Sequence, residues 1–230
     1  MKRYLFRGAV CAIIGLASFL VACHKMDETY EEFLTGGEMK YAKKPDTIWI
    51  SPGKNRLKLS TVLVGTNYSK YMVYWNDGQD SLEVPVGEKK YMDTLEVLIA
   101  PLAEGDCAVK VYTYDMEQYR SIVTEANGVI YGDAYQSTLF NRIALDFKLD
   151  DAGKPIVVWD SRNPRQAIAV ELVFKDQEQM AHRLIQPIEE TKTAIAYDLL
   201  GDSLQYRTLF LPDSNAIDTF YTQFQTLHLP

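Results

Sequence analysis

The strongest constraint on this chain's fold is a two-residue alternation of inward- and outward-suited side chains in short runs. Leu57, Leu59, Thr61 and Leu63 alternate with Arg56, Lys58, Ser60 and Val62. On a strand, successive side chains point to opposite faces, so this period buries one face of a sheet, whereas a helix would scatter it. The period recurs in Ser69 to Trp75, in Leu82, Val84 and Val86, and in Leu95, Val97 and Ile99. Cys107, Val109 and Val111 then face one way while Lys110, Tyr112 and Tyr114 face the other, and Ser121 to Val123 closes the set. Asp77-Gly78 predicts a type I′ hairpin turn, and Ala100-Pro101 ends a strand. About seven short strands with turn signals between them predict an Ig-like or fibronectin-III-like β-sandwich over residues 46–127.

Gly128 and Gly132 bracket Val129-Ile130-Tyr131, which marks a boundary, and the pattern then restarts. Ile143, Leu145, Phe147 and Leu149 alternate, Asp150 to Gly153 makes a turn, and Pro155 to Trp159 is a compact apolar run. Ile168 to Phe174, His182 to Ile185, Ala194 to Leu199 and Leu204 to Leu211 continue the set. A second, less regular β-sandwich is expected over residues 128–230. No helical period is sustained beyond a turn or two, so the class is all-β.

The N-terminus is of another kind. Lys2, Arg3 and Arg7 precede an apolar stretch from Ala9 to Ala22, then Leu20-Val21-Ala22-Cys23. That stretch is about 14 residues, too short for a span of roughly 20 and suited to an export signal. A small residue directly before a cysteine reads as a lipobox, so residues 1–22 are a signal peptide, Cys23 is the lipid attachment site, and the membrane is a partner through that lipid. Residues 23–45, with Asp27, Glu28, Glu31, Glu32 and Glu38, are expected to form an acidic tether, with one helical turn around Tyr30 to Leu34. Acidic residues just after the lipid resemble the signal that directs Bacteroidetes lipoproteins to the outer leaflet, so an outer-membrane, surface-exposed location is expected.

The formal charge is −7 and the signal holds three of the basic residues, so the mature chain carries about −10. An acidic exported chain is a poor partner for nucleic acid, whose phosphates need Lys and Arg. With Cys11 removed and Cys23 lipidated, Cys107 has no partner and is expected as a core thiol. No zinc-protease, nucleophile-elbow, P-loop or dinucleotide motif is present. His182 has no positioned serine beside it. Asp150-Asp151 and Glu189-Glu190 read as turns and solvated edges, and Asn76 to Asp80 lacks the spacing of a calcium loop. No enzymatic activity, cofactor or metal is expected.

Several phrases line up in order: Gly37-Glu38 with Tyr41 and Lys43-Lys44, Pro52 to Leu57, Tyr74-Trp75-Asn76-Asp77, Tyr206 to Pro212, and Ala216 to Tyr221. Together they resemble the Bacteroidetes lipoprotein family of unknown function DUF4998, across essentially the whole mature chain. The resemblance implies an envelope lipoprotein, some of whose relatives carry an appended discoidin-type carbohydrate-binding domain or lie beside SusC/SusD-type glycan-uptake systems. No such appended domain is expected within residues 23–230. The family supplies no catalytic residues.

Aromatic rings against sugar faces, framed by amides and carboxylates, are the chemistry of a glycan site. Tyr71, Tyr112 and Tyr114, with Asn76 and Asp80 as polar neighbours, form the candidate ligand surface, while Trp75 and Trp159 are expected in the cores. The expected role is an accessory glycan-binding lipoprotein, with a structural or adhesive component that contacts another envelope protein as the alternative.

Overall fold

The computed structural model describes residues 40–87 and 90–230. The signal peptide, Cys23 and the expected helical turn at Tyr30 to Leu34 lie outside the described residues. Strands β1 (Thr47–Pro52), β2 (Leu57–Val64) and β5 (Met92–Ile99) form one sheet in the order β1-β2-β5. Facing it, β3 (Lys70–Trp75), β4 (Asp80–Pro85), β6 (Gly105–Tyr114) and β7 (Thr124–Ile130) form a second in the order β4-β3-β6-β7. Every pairing is antiparallel. The alternation read from the sequence selects the inward face: Leu57, Leu59, Val73, Val109 and Val111 are fully buried between the sheets. Each such aliphatic side chain contributes roughly 1.5–3 kcal/mol on burial.

The second half repeats this plan. Strands β8 (Ala144–Leu149), β9 (Pro155–Trp159) and β12 (Lys192–Ala194) form one sheet, with β9 central. The facing sheet runs β11 (Ala181–Pro187), β10 (Ala167–Lys175), β13 (Ser203–Phe210), and then β14 (Phe220–Tyr221) with β15 (Gln225–His228), both of which pair with β13. Taken in chain order, these strands occupy the same places as β1 to β7, with β14 and β15 sharing the last. The chain is thus two fibronectin-III-like sandwiches of one topology. The second core gathers Val157, Val170 and Leu172 around Trp159, whose ring lies 5.1 Å from that of Tyr206 and whose Nε1 donates to Thr193 Oγ1 at 2.8 Å.

Four local expectations change. The strand closing the first sandwich is β7, not Ser121 to Val123, so Ile130 belongs to the first core and the break falls after it rather than between Asn127 and Gly128. Gly128 is a strand residue because β1 packs against it: a Cβ there would lie 3.0 Å from Ile50 Cγ2. At the other end, Ala42 and Pro45 are buried, Lys43 Nζ donates to the Val64 carbonyl at 2.7 Å and the Lys43 carbonyl accepts from Thr113 Oγ1 at 2.6 Å. Ala42 to Pro45, expected in the tether, therefore pack with the first sandwich instead. In the second sandwich, bulges between Ala144 and Asp146 and between Ala167 and Ala169 break the alternation, leaving Leu145 and Ile168 exposed; a bulge inserts one residue and rotates the face. Of the region expected as a strand at Ala194 to Leu199, Ala194 alone lies in a strand, β12, and Leu199 makes an isolated bridge with Asp176.

A short connection joins the sandwiches. It contains a five-residue helix α1 (Asp133–Ser137), whose Ala134 and Tyr135 amides donate to the carboxylate of Glu104 at 2.8 and 2.6 Å.

Candidate functional site

The outer face of the β4-β3-β6-β7 sheet carries the residues that point away from the first core. Register places Lys70 opposite Tyr114, Met72 opposite Tyr112 and Tyr74 opposite Lys110. Tyr74 and Tyr112 meet edge to face, with centroids 5.8 Å apart at 85°. The Arg120 guanidinium lies over Tyr112 at 4.7 Å and Lys70 Nζ over Tyr114 at 5.4 Å. The Tyr112 and Tyr114 rings therefore each have a cation over them, an arrangement that holds these rings in place. Lys70 is also paired with Glu83 at 2.7 Å, which raises the lysine's pKa.

Tyr71 is not part of this surface. It lies on the opposite parity of β3, beside Val73, and is fully buried. Burial pushes its phenol up to about 12, with the neighbouring Thr61 side chain opposing the rise, and neither hydroxyl makes a well-formed hydrogen bond among the described residues.

At the other end of the sheet from Tyr114, where β3 ends and β6 begins, lies a depression of about 810 Å³. Its polar lining is Asn76, Asp77, Asp80, Asp106 and Asn127; its apolar lining includes Trp75, Leu102, Ala108 and Val129. The turn between β3 and β4 creates one wall. Trp75 pairs with Asp80, so four residues rather than two make the connection, and Asn76, Asp77 and Gly78 have φ of 51°, 52° and 83°. Asn, Asp and Gly tolerate this left-handed backbone best, which is why this sequence turns here, though not as the expected I′ turn. Asn76 Nδ2 then donates to Asp80 Oδ2 at 3.2 Å, presenting an amide and a carboxylate side by side. Asn127 stands opposite Ala108 in the β6–β7 ladder, and the small Ala108 leaves the space.

The structure thus brings Asn76 and Asp80 together at the depression, places Tyr112 and Tyr114 further along the same face, and removes Tyr71. Trp75 is half-buried at the margin of the first core and Trp159 lies inside the second. Sequence reasoning missed Asp106 and Asn127. Their signal was the parity of β6 and β7, legible for Asp106 beside Cys107 but hidden for Asn127 by its neighbour Gly128. Cys107 is half-buried against the first core and lines the depression, and burial pushes its thiol up. Among the described residues no group of three or more His, Cys, Asp or Glu is placed to hold a metal ion, and no helix is long and apolar enough to cross a membrane.

A family model described as a domain of unknown function, DUF4998, matches residues 23–220. Comparison with curated proteins finds no match. Among solved structures, the chain is similar to a two-fibronectin-type-III-domain segment from chicken tenascin, at 12% identity and a TM-score of 0.32, covering 80% of this chain and 98% of that one. It is also similar to the FN1-FN3 domains of chicken CNTN1, at 13% identity and a TM-score of 0.41, covering 83% of this chain and 66% of that one.

Proposed function

The chain belongs to the DUF4998 family, and on that premise we propose that it is a non-catalytic lipoprotein, held at the outer membrane through Cys23, that binds a glycan on the first sandwich as an accessory part of a polysaccharide-uptake system. The observation that carries the reading is the depression at the end of the sheet, whose lining combines amides and carboxylates with apolar side chains. Sugars need both: C–H faces rest on apolar surface while hydroxyls donate to carboxylates and accept from amides. Fibronectin-III-like sandwiches with no positioned nucleophile and base are typical of proteins that bind rather than catalyse.

A second reading, a structural or adhesive component contacting another protein, is supported by exposed apolar residues before and along edge strand β8, namely Phe140, Ile143, Leu145 and Leu149. An unpaired strand edge is a template for strand addition.

Calorimetry against a panel of neutral plant and host oligosaccharides tests the first reading. Asp80→Asn is expected to weaken binding about tenfold, the loss of one hydrogen bond to a charged group, and Cys23→Ala to move the protein from the membrane to the soluble fraction. No binding of any glycan at millimolar sugar, together with recovery of a protein partner by pull-down from intact envelopes, selects the second reading.

A further inference from the structure

The repeated topology puts a second depression at the same place in the second sandwich. The first lies where the end of β3 and start of β4 meet the start of β6 and the end of β7. The second, of about 530 Å³, lies where the end of β10 and start of β11 meet the start of β13 and β15. Strands β10, β11, β13 and β15 are the counterparts of β3, β4, β6 and β7. The two linings have opposite charge. Asp77, Asp80 and Asp106 line the first, with no Lys, Arg or His. Lys175, His182 and Arg183 line the second, with no Asp or Glu.

The cations of the second depression are held by different means. Lys175 Nζ has no ion-pair partner among the described residues and extends from the exposed end of β10. Arg183 donates through Nε to Glu171, yet more than half its side chain remains exposed. Glu171 is nearly fully buried and also takes Arg207, so this triad leaves one net positive charge. The Arg207 guanidinium lies over Tyr221 at 4.0 Å and Phe224 at 4.6 Å, which helps hold it on the buried carboxylate. His182 stacks between Phe174 and Tyr197, with Nε2 2.7 Å from Asp176 Oδ2, and that carboxylate is further engaged by the Glu178 and Met180 amides. Ser203, Gln205 and Thr226 complete the polar lining with hydroxyl and amide groups.

We infer that the depression of the second sandwich is a binding site for a carboxylate-bearing sugar, a uronate unit, with Lys175 and Arg183 on the carboxylate and Ser203, Gln205 and Thr226 on the hydroxyls. Local positive charge on a chain of formal charge −7 is what an anionic ligand selects, because the rest of the molecule repels it. Charge-assisted hydrogen bonds to a carboxylate are the strongest such a shallow site offers. The inference rests on the glycan-binding reading but concerns a different surface.

The test is calorimetry of the full chain in detergent with oligomers of galacturonate, glucuronate and mannuronate, with their methyl esters, and with neutral oligosaccharides. At least one uronate oligomer is expected to bind, its methyl ester to lose at least tenfold, and raised salt to weaken it. Lys175→Gln is expected to weaken uronate binding about tenfold, while Asp80→Asn leaves it unchanged. Absence of uronate binding, equal binding of acid and ester, or binding indifferent to Lys175→Gln overturns the inference. Neutral-sugar binding lost in Asp80→Asn with no uronate binding overturns this site and keeps the first; uronate binding with no neutral-sugar binding does the reverse.

Discussion

Tyr71 and Tyr112 carry the same side chain on neighbouring strands and meet opposite environments. Tyr71 shares its parity with Val73 and is sealed in the first core, while Tyr112 sits opposite to the parity of Val111 and faces out under Arg120. The parity was readable in both cases, but a tyrosine suits either face, so residue type alone did not decide. The hydroxyl of Tyr71 is the cost of its placement, since a buried hydroxyl without a partner loses its hydration and gains nothing. Tyr71→Phe is therefore expected to leave stability unchanged or raise it by up to about 1 kcal/mol, and to leave glycan binding intact. Urea denaturation and calorimetry read the two effects; a loss of more than about 1 kcal/mol shows that the hydroxyl is satisfied in solution.

Strands were legible wherever alternation was uninterrupted, as in β2, β6 and β9, and were lost where a turn-forming residue sat inside a strand or a bulge rotated its face. Gly128 in β7 and the bulge at Leu145 in β8 are those cases. The last strand of the second sandwich was missed because it is in two pieces. Between β14 and β15, Asn141 enters the ladder, its Oδ1 accepting the Thr208 amide at 2.9 Å while its Nδ2 donates to the Gln223 carbonyl at 2.9 Å. The turns explain part of the acidic composition: Asp115, Asp150, Asp160 and Asp176 each accept backbone amides two to four residues further on. Such side chains replace backbone partners that a turn leaves open. Asp160 is the most perturbed of them. The Arg162 guanidinium, helped by the Arg162 amide, holds its carboxyl at about 2 against the ordinary 3.8, with burial opposing. Asp176 is held low by His182, again with burial opposing and the Met180 and Glu178 amides assisting. A carboxyl whose folded pKa is depressed stabilises the fold above its unfolded pKa and ceases to do so as pH falls through the folded one. The urea midpoint is expected to fall between pH 3.8 and about 2, and Asp160→Asn to flatten that fall. An equally steep fall in Asp160→Asn would remove Asp160 from the account.

At the scale of the whole described unit, the two sandwiches are joined by more than the chain between them. The loop after β1 reaches the loop before β14: Arg56 Nε and Nη2 donate to the two oxygens of Asp218 at 2.9 and 2.5 Å, and the Lys54 amide donates to the same carboxylate at 2.7 Å. The Ile217 amide donates to the Pro52 carbonyl at 2.8 Å, and Asn215 Nδ2 to the Ile50 carbonyl at 3.0 Å. Gly53 is required at this approach, because a Cβ would overlap Asp218 Oδ2 and lie 2.8 Å from Ile217 Cγ1. These are two of the phrases by which the sequence resembles its family, Pro52 to Leu57 and Ala216 to Tyr221, brought together by a contact between residues 162 positions apart. Alternation along a strand cannot reveal such a contact, since it links loops of separate sandwiches; only their joint occurrence in the family pattern hinted at it. The contact fixes how the first depression is oriented against the second. Asp218→Ala leaves the Arg56 charge and the Lys54 amide without their acceptor, and because Arg56 is partly exposed the expected loss is well below the cost of breaking a buried pair. That loss falls on coupling rather than on either core. Scanning calorimetry is expected to show one endotherm for the native chain and two for Asp218→Ala, with affinities for single-site ligands unchanged in both. A single, merely shifted endotherm in Asp218→Ala would mean that the remaining contacts, the Ile217–Pro52 and Asn215–Ile50 hydrogen bonds with those of Glu104 to α1, suffice to couple the sandwiches.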